Sequence, residues 1–293
     1  MAFGFERQRE KFMRQPIFRQ IKPPKHLAAA AVNDHATWHT WSDDFRAFLL
    51  HVGGELKRLP DPPTRRIKRL SDYNYTFSLP PRALKDAAHR DALKAFAQSL
   101  AVTRPRRKLM LFDGLLGSHL DGPSLHKLFA LLRGSLVEMA GDDFAAMYTP
   151  LGDTGDDVGD FLLHADLYVP QYLFNVFDNV PARTGGSSTF LAVPELKRIV
   201  RRQTGLSDAT ARRLFSMFES EPKSDRYDRC YDLMHGEHRW VPALEQSLSE
   251  HQLSIPLRKG QGYLLHDRSW LHGRTKPTGG VTLNRVRRLI YGL

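Results

Sequence analysis

The stretch Phe161-Leu-Leu-His-Ala-Asp-Leu-Tyr168 constrains this chain more than any other. Read as a strand, its side chains alternate, so His164 and Asp166 point one way while Leu163, Ala165 and Leu167 point the other. An imidazole and a carboxylate two residues apart on a rigid strand make a compact pair of metal donors. A third donor must then come from elsewhere, so the chain has to bring distant strands together at this point. His272, in Trp270-Leu-His-Gly-Arg274, is the leading candidate, and His266, at the end of Gly262-Tyr-Leu-Leu-His266, is its rival. Two histidines and one carboxylate are the facial set that holds non-haem iron(II) while leaving other positions open. With 13 histidines in the chain, a His-x-Asp triplet also arises by chance as a local hydrogen bond, so the remaining sequence has to supply the site.

Such a site needs a folded shell, and 293 residues with 41% hydrophobic and 10% aromatic content supply one. Global disorder is excluded. The formal charge of +11 suits nucleic acid, an anionic surface or an acidic substrate and does not choose among them. No zinc-finger spacing or long basic tail favours nucleic acid, which stays the lesser partner reading. Cys230 is the single cysteine, so no intrachain disulfide forms, as suits a reducing compartment. The N-terminal residues lack the apolar run of a secretory signal, and no apolar stretch is long enough to span a bilayer. The expectation is a cytoplasmic protein with no membrane partner. Its oligomeric state is not readable.

Along the chain, residues 1–36 read as an N-terminal arm and 37–150 as helical and strand support for a single domain of 1–293. Residues 43–50 suit a short helix, and 82–102 a long one, with Pro80-Pro81 placed at its start. A second apolar stripe, Leu125, Leu128, Phe129, Leu132, Leu136 and Met139, marks a helix ending at Gly141. Both helices are expected to cover the outside of a sheet. Residues 151–160 form an acidic, glycine-rich loop that does not match a calcium-binding loop. Strands follow at 161–168, 172–177, 188–192, 252–257, 262–266, 270–273 and 283–291, with helices at 194–204 and 207–219. Residues 220–250 show little periodicity and suit an insertion, a lid or a surface excursion; about 194–250 reads as a helical insertion or lid, with 205–250 the lid candidate. Short strands bounded by glycine and proline, with one helical insertion, favour an antiparallel barrel or jelly roll over a doubly wound sheet, in a mostly β fold with flanking helices. Its core, 151–293, would be a double-stranded β-helix (a jelly roll, cupin-like).

Three segments in order carry a family resemblance: His164-Ala-Asp166; Gly185-Gly-Ser-Ser-Thr-Phe190; and Trp270-Leu-His-Gly-Arg-Thr275 followed by Asn284-Arg-Val-Arg-Arg-Leu289. Over residues 160–291 the chain resembles the iron(II)/2-oxoglutarate-dependent dioxygenases, in the taurine dioxygenase and clavaminate synthase-like branch. The resemblance implies iron ligation by His164, Asp166 and His272. It implies an arginine past the distal histidine that grips the far carboxylate of 2-oxoglutarate, a task suited to the guanidinium fork. Arg285, Arg287 and Arg288 compete for it, and strand alternation puts Arg288 on the opposite face from the other two; Arg288 is preferred because Leu289 follows it. Thr189 stands where the family has a threonine that hydrogen-bonds the co-substrate. A carboxylate at Asp166, where related halogenases have glycine or alanine, implies hydroxylation.

The activity so implied is hydroxylation of an unactivated C–H bond of a small molecule, an amino acid or a biosynthetic intermediate, consuming O2 and releasing succinate and CO2. Asn175, Arg274 and Asp157 are the substrate-side candidates, Asp157 because the acidic loop could receive a cationic group. Two other readings stand beside it: an oxygenase acting on nucleic acid or protein, and a non-catalytic cupin-like binding protein.

Overall fold

The computed structural model describes residues 17–27, 36–66, 75–105, 108–151, 161–166, 171–179, 186–202, 205–219, 226–275 and 285–292. The acidic loop with Asp157, and the first 16 residues of the arm, lie outside the described residues.

The chain begins with strands β1 (Phe18–Ile21) and β2 (Ala36–Trp41), helix α1 (Asp43–Arg58), and a small ribbon of β3 (Thr64–Arg66) and β4 (Tyr75–Phe77). Then come α2 (Ala87–Val102), β5 (Leu109–Phe112), α3 (Gly122–Ala140), β6 (Ala146–Leu151), β7 (Phe161–His164), β8 (Tyr172–Asn179) and β9 (Ser188–Ala192). Four helices follow: α4 (Val193–Arg202), α5 (Asp208–Glu219), α6 (Arg226–His235) and α7 (Val241–His251). The chain closes with β10 (Leu253–Ile255), β11 (Gly262–His266), β12 (Trp270–Arg274) and β13 (Arg285–Tyr291).

Two sheets organise these strands. One is seven-stranded in the order β1-β2-β5-β11-β8-β13-β6, the other four-stranded in the order β10-β9-β12-β7. The space between them is filled from both: Phe177, Tyr263, Leu265 and Ile290 from the large sheet meet Phe190, Ile255 and Trp270 from the small one. Helices α1, α2 and α3 cover the outer face of the large sheet, packing on Phe174, Val176, Leu289 and Tyr291. Helices α4 to α7 cover the outer face of the small sheet over Leu163, Leu191 and Leu271. β8 is therefore buried on both faces, with Tyr172, Phe174 and Val176 outward and Leu173 and Phe177 inward. Each such side chain, fully buried, is worth about 1.5–3 kcal/mol.

Several expectations are corrected. Helical residues outnumber strand residues among those described, so the fold is mixed rather than mostly β. The large sheet is not purely antiparallel, since β2 pairs with β5 in parallel. It also draws strands from the arm and from the support region: Phe18 of β1 stacks on Trp41 with ring centroids 5.2 Å apart. Helix α1 runs on through Gly53 and Gly54, because Val52 and Leu56 continue the buried stripe of Phe45, Phe48 and Leu49. That burial outweighs a propensity cost of about 1 kcal/mol per glycine. Pro81–Ala83 forms a separate 3-10 turn, and α2 starts later, where Asp86 accepts from the Ala88 N–H. α3 starts at Gly122, with Pro123 in its first turn and Asp121 accepting from the Ser124 N–H at 2.8 Å. Residues read as aperiodic contain α6 and α7, whose buried Cys230, Leu233 and Met234, and Leu244 and Leu248, belong to the packed outer cluster. The described residues of the segment read as a helical insertion or lid are thus largely helical and packed on the small sheet. No helix among the described residues is long and apolar enough to cross a membrane.

Candidate metal centre

β7 ends at His164, and Ala165 and Asp166 continue beyond it as irregular chain. In the small sheet His272 of β12 lies directly opposite His164, and their ring centroids are 4.5 Å apart. One donor atom each of His164, Asp166 and His272 falls within a sphere where all lie within 4.8 Å of one another, and all three residues are buried. His164 Nε2 is 3.6 Å from one oxygen of Asp166, and His272 Nε2 is 3.8 Å from the other.

The donor set fits a divalent metal. His164 donates from Nδ1 to the Leu162 carbonyl at 2.7 Å, which fixes the tautomer and leaves the Nε2 lone pair available to a metal. His272 Nε2 is buried and has no hydrogen-bond partner among the described residues, a costly state unless an electron-pair acceptor completes it. Burial by itself would raise the Asp166 carboxyl, but the Arg288 guanidinium and then the two imidazoles reverse this and hold it well below the usual carboxylate range. For His164 burial pulls the imidazole down, and its hydrogen bond and charge pairing with Asp166 more than restore it, so the net direction is up. His266 is no ligand: its Nδ1 meets Ser269 Oγ at 2.7 Å and its Nε2 meets Gln171 Oε1 at 2.9 Å.

Of the three competing arginines, one reaches this centre. Arg288 lies opposite Asn175 of β8, faces the space between the sheets, and places Nη1 3.4 Å from Asp166 Oδ2. Arg287 faces the other way, donating from Nε to Asp178 Oδ2 at 2.6 Å. Arg285 is 48% exposed at its side chain, with Nε 4.0 Å from Asp178.

A cavity of about 120 Å³ adjoins the metal donors, walled by Phe161, Phe177, Tyr227 and Tyr263 and edged by Asn175 and Arg274. Arg274 lies with its guanidinium carbon 5.1 Å from the Phe161 ring centroid. Thr189 is not brought to the centre. Phe190 points inward, so alternation turns Thr189 to the back of the sheet, where it lines a second cavity with Leu163 and Leu248. Ser188 lines the metal-side cavity instead.

Three residues at the site are absent from the sequence reading. Tyr263 was within reach, because alternation along β11 puts it in phase with Leu265. Tyr227 lies in the charged stretch that hid α6, and its ring is 5.8 Å from that of His164. Asp267, buried beside the centre, accepts from the Asp166 N–H at 3.0 Å and carries no local signal.

No family model matches the chain, and no curated protein matches it. Solved structures that resemble it include an asparagine oxygenase in complex with Fe(II), 2S,3S-3-hydroxyasparagine and succinate, at 14% identity and a TM-score of 0.43, covering 87% of this chain and 92% of that one. The non-heme iron oxygenase OrfP in complex with Fe is 12% identical with a TM-score of 0.42, covering 87% and 93%. The PvcB protein from Pseudomonas aeruginosa is 13% identical with a TM-score of 0.41, covering 95% and 92%. Likeness of this size assigns nothing by itself, so the functional reading rests on the side chains.

Proposed function

We propose that this chain is an Fe(II)- and 2-oxoglutarate-dependent oxygenase that hydroxylates an unactivated C–H bond of a small molecule, with O2 consumed and succinate and CO2 released. The observation that carries the reading is the buried set of His164, Asp166 and His272 with a buried guanidinium, Arg288, facing the same space. The two facing sheets are read as a double-stranded β-helix, and the family as the one the motifs resemble.

Bound at this set, ferrous iron would supply a redox-active centre with positions left open for co-substrate and dioxygen. The chain's own residues do the rest. His164 and His272 present Nε2 atoms, the first held in its tautomer by the Leu162 carbonyl. Asp166 presents a carboxylate kept ionised by Arg288 and the imidazoles. Arg288 has the planar, permanently charged fork that grips a carboxylate, and in this reading it takes the far end of 2-oxoglutarate. Asn175, tied to the Tyr263 hydroxyl at 2.5 Å, and Arg274 at the mouth orient the substrate. Asp157 is kept as a third substrate-side proposal. The rings of Phe161, Phe177, Tyr227 and Tyr263 exclude water from the reacting carbon.

The test is an anaerobic titration of iron(II) and 2-oxoglutarate into the purified protein, followed by visible absorption. A charge-transfer band in the wild type, absent in His164→Ala and His272→Ala, supports the reading. Folded, iron-replete wild type without a band would sink it.

A further inference from the structure

We infer that Asp267, a buried carboxylate outside the donor set, is the positioning residue for the metal ligand Asp166, acting through an oxygen that accepts its main-chain N–H; this rests on the metal reading above. Asp267 is 1% exposed. It opens the short turn that joins β11 to β12, and so lies five residues before His272 on the segment that delivers that ligand.

The need for such a residue comes from where β7 stops. The pairing of β7 with β12 includes His164 opposite His272 and does not extend to Asp166. The main chain that carries the carboxylate ligand is therefore outside the ladder. What holds it is Asp267 Oδ1, at 3.0 Å from the Asp166 N–H, a contact between residues 101 apart in sequence.

The turn is itself anchored, which makes it a firm point of attachment. The Asp267 N–H donates to the Gln171 carbonyl at 2.8 Å, and the Ser269 N–H to the His266 carbonyl at 2.9 Å. The Val193 N–H in turn donates to the Ser269 carbonyl at 2.9 Å. The same Oδ1 lies 3.7 Å from His272 Nε2. One carboxylate thus bonds the main chain of one proposed ligand and lies close to the side chain of another, which comes from a different part of the chain. A buried N–H left without an acceptor is costly, so removing Asp267 would let the Asp166 segment seek another arrangement. Residues that orient metal ligands in this way typically change affinity 10- to 100-fold when lost.

Cobalt(II), added anaerobically to the full-length protein, is the probe, read by its visible d–d absorption in wild type, Asp166→Ala, Asp267→Asn and Asp267→Ala. Asparagine keeps an oxygen where the Asp166 N–H needs it. The expected result is cobalt affinity within about threefold of wild type and an unchanged band for Asp267→Asn. For Asp267→Ala the expectation is an affinity 10- to 100-fold weaker with a shifted band, in a protein that still melts cooperatively. Should the alanine variant not fold, Asp267→Leu, similar in shape and without an acceptor, carries the same comparison. Wild-type cobalt affinity in Asp267→Ala overturns the inference. So does an Asp267→Asn variant as weak as Asp267→Ala, because charge rather than the hydrogen bond would then be at work. A wild type that binds no cobalt is a different failure, since it removes the metal reading and this inference together.

Discussion

Arg287 and Arg288 are neighbours in sequence and opposites in space: Arg288 meets Asp166 between the two sheets, and Arg287 meets Asp178 beneath α3. Substituting each by lysine keeps the charge and removes the guanidinium fork. Arg288→Lys should weaken 2-oxoglutarate binding about 10-fold or more, since a lysine cannot make the paired hydrogen bonds. Arg287→Lys should leave that affinity within about twofold and act on thermal stability instead. Equilibrium titration of 2-oxoglutarate into both variants decides it, and equal losses would remove the assignment of Arg288.

Gly134 sits inside α3, where alanine ordinarily stabilises a helix by about 1 kcal/mol. Here a Cβ would stand 2.1 Å from the Leu79 carbonyl oxygen, whose own residue donates to the Ala130 carbonyl at 3.1 Å. Gly134→Ala should therefore destabilise, by about 1–3 kcal/mol, because the neighbour is backbone and cannot step aside. A urea midpoint at or above wild type would contradict the packing described.

Burial pushes the Cys230 thiol up to about 12, so almost no thiolate exists at neutral pH. Native protein at pH 8 should leave an aromatic disulfide reagent unreacted over an hour and release one equivalent on unfolding. Rapid reaction without denaturant would show that α6 opens on that timescale.

His39 is lowered from 6.5 to about 4 by burial, and its Nδ1 has no hydrogen-bond partner among the described residues. Between those two values the unfolded chain binds the proton more readily than the folded one. This contribution to stability is thus complete above about pH 6.5 and is lost as pH falls toward 4, to the extent of about 1–2 kcal/mol once partial exposure is allowed for. Urea midpoints at pH 7.5 and 4.5 should fall less in His39→Gln than in wild type; an identical fall would exclude the residue.

The parts of this fold that are legible in the sequence are those set by near neighbours. Alternation suffices for Gly262–His266 and Ser188–Ala192, and a 3.6-residue stripe suffices for the body of α3. The His164 and Asp166 pair is likewise a period-two pattern, though the strand itself ends at His164. Thr189 fails because family spacing says nothing about which face of β9 meets the partner sheet, and a shift of one residue reverses it. Helices α6 and α7 hide because few of their apolar residues are consecutive and many of the rest are charged. Asp267 could not be read at all, since its partner is 101 residues away.

β7 lies at the end of the four-stranded sheet, with Phe161 38% and Leu162 37% exposed beside the ligands. A bare sheet end invites a strand from another molecule. Here α6 meets it instead: His235 donates from Nε2 to the Leu163 carbonyl at 2.8 Å, its Nδ1 lying 3.2 Å from Glu245. The helix layer over this strand is therefore also a guard against self-association, set at the same sheet end that carries His164.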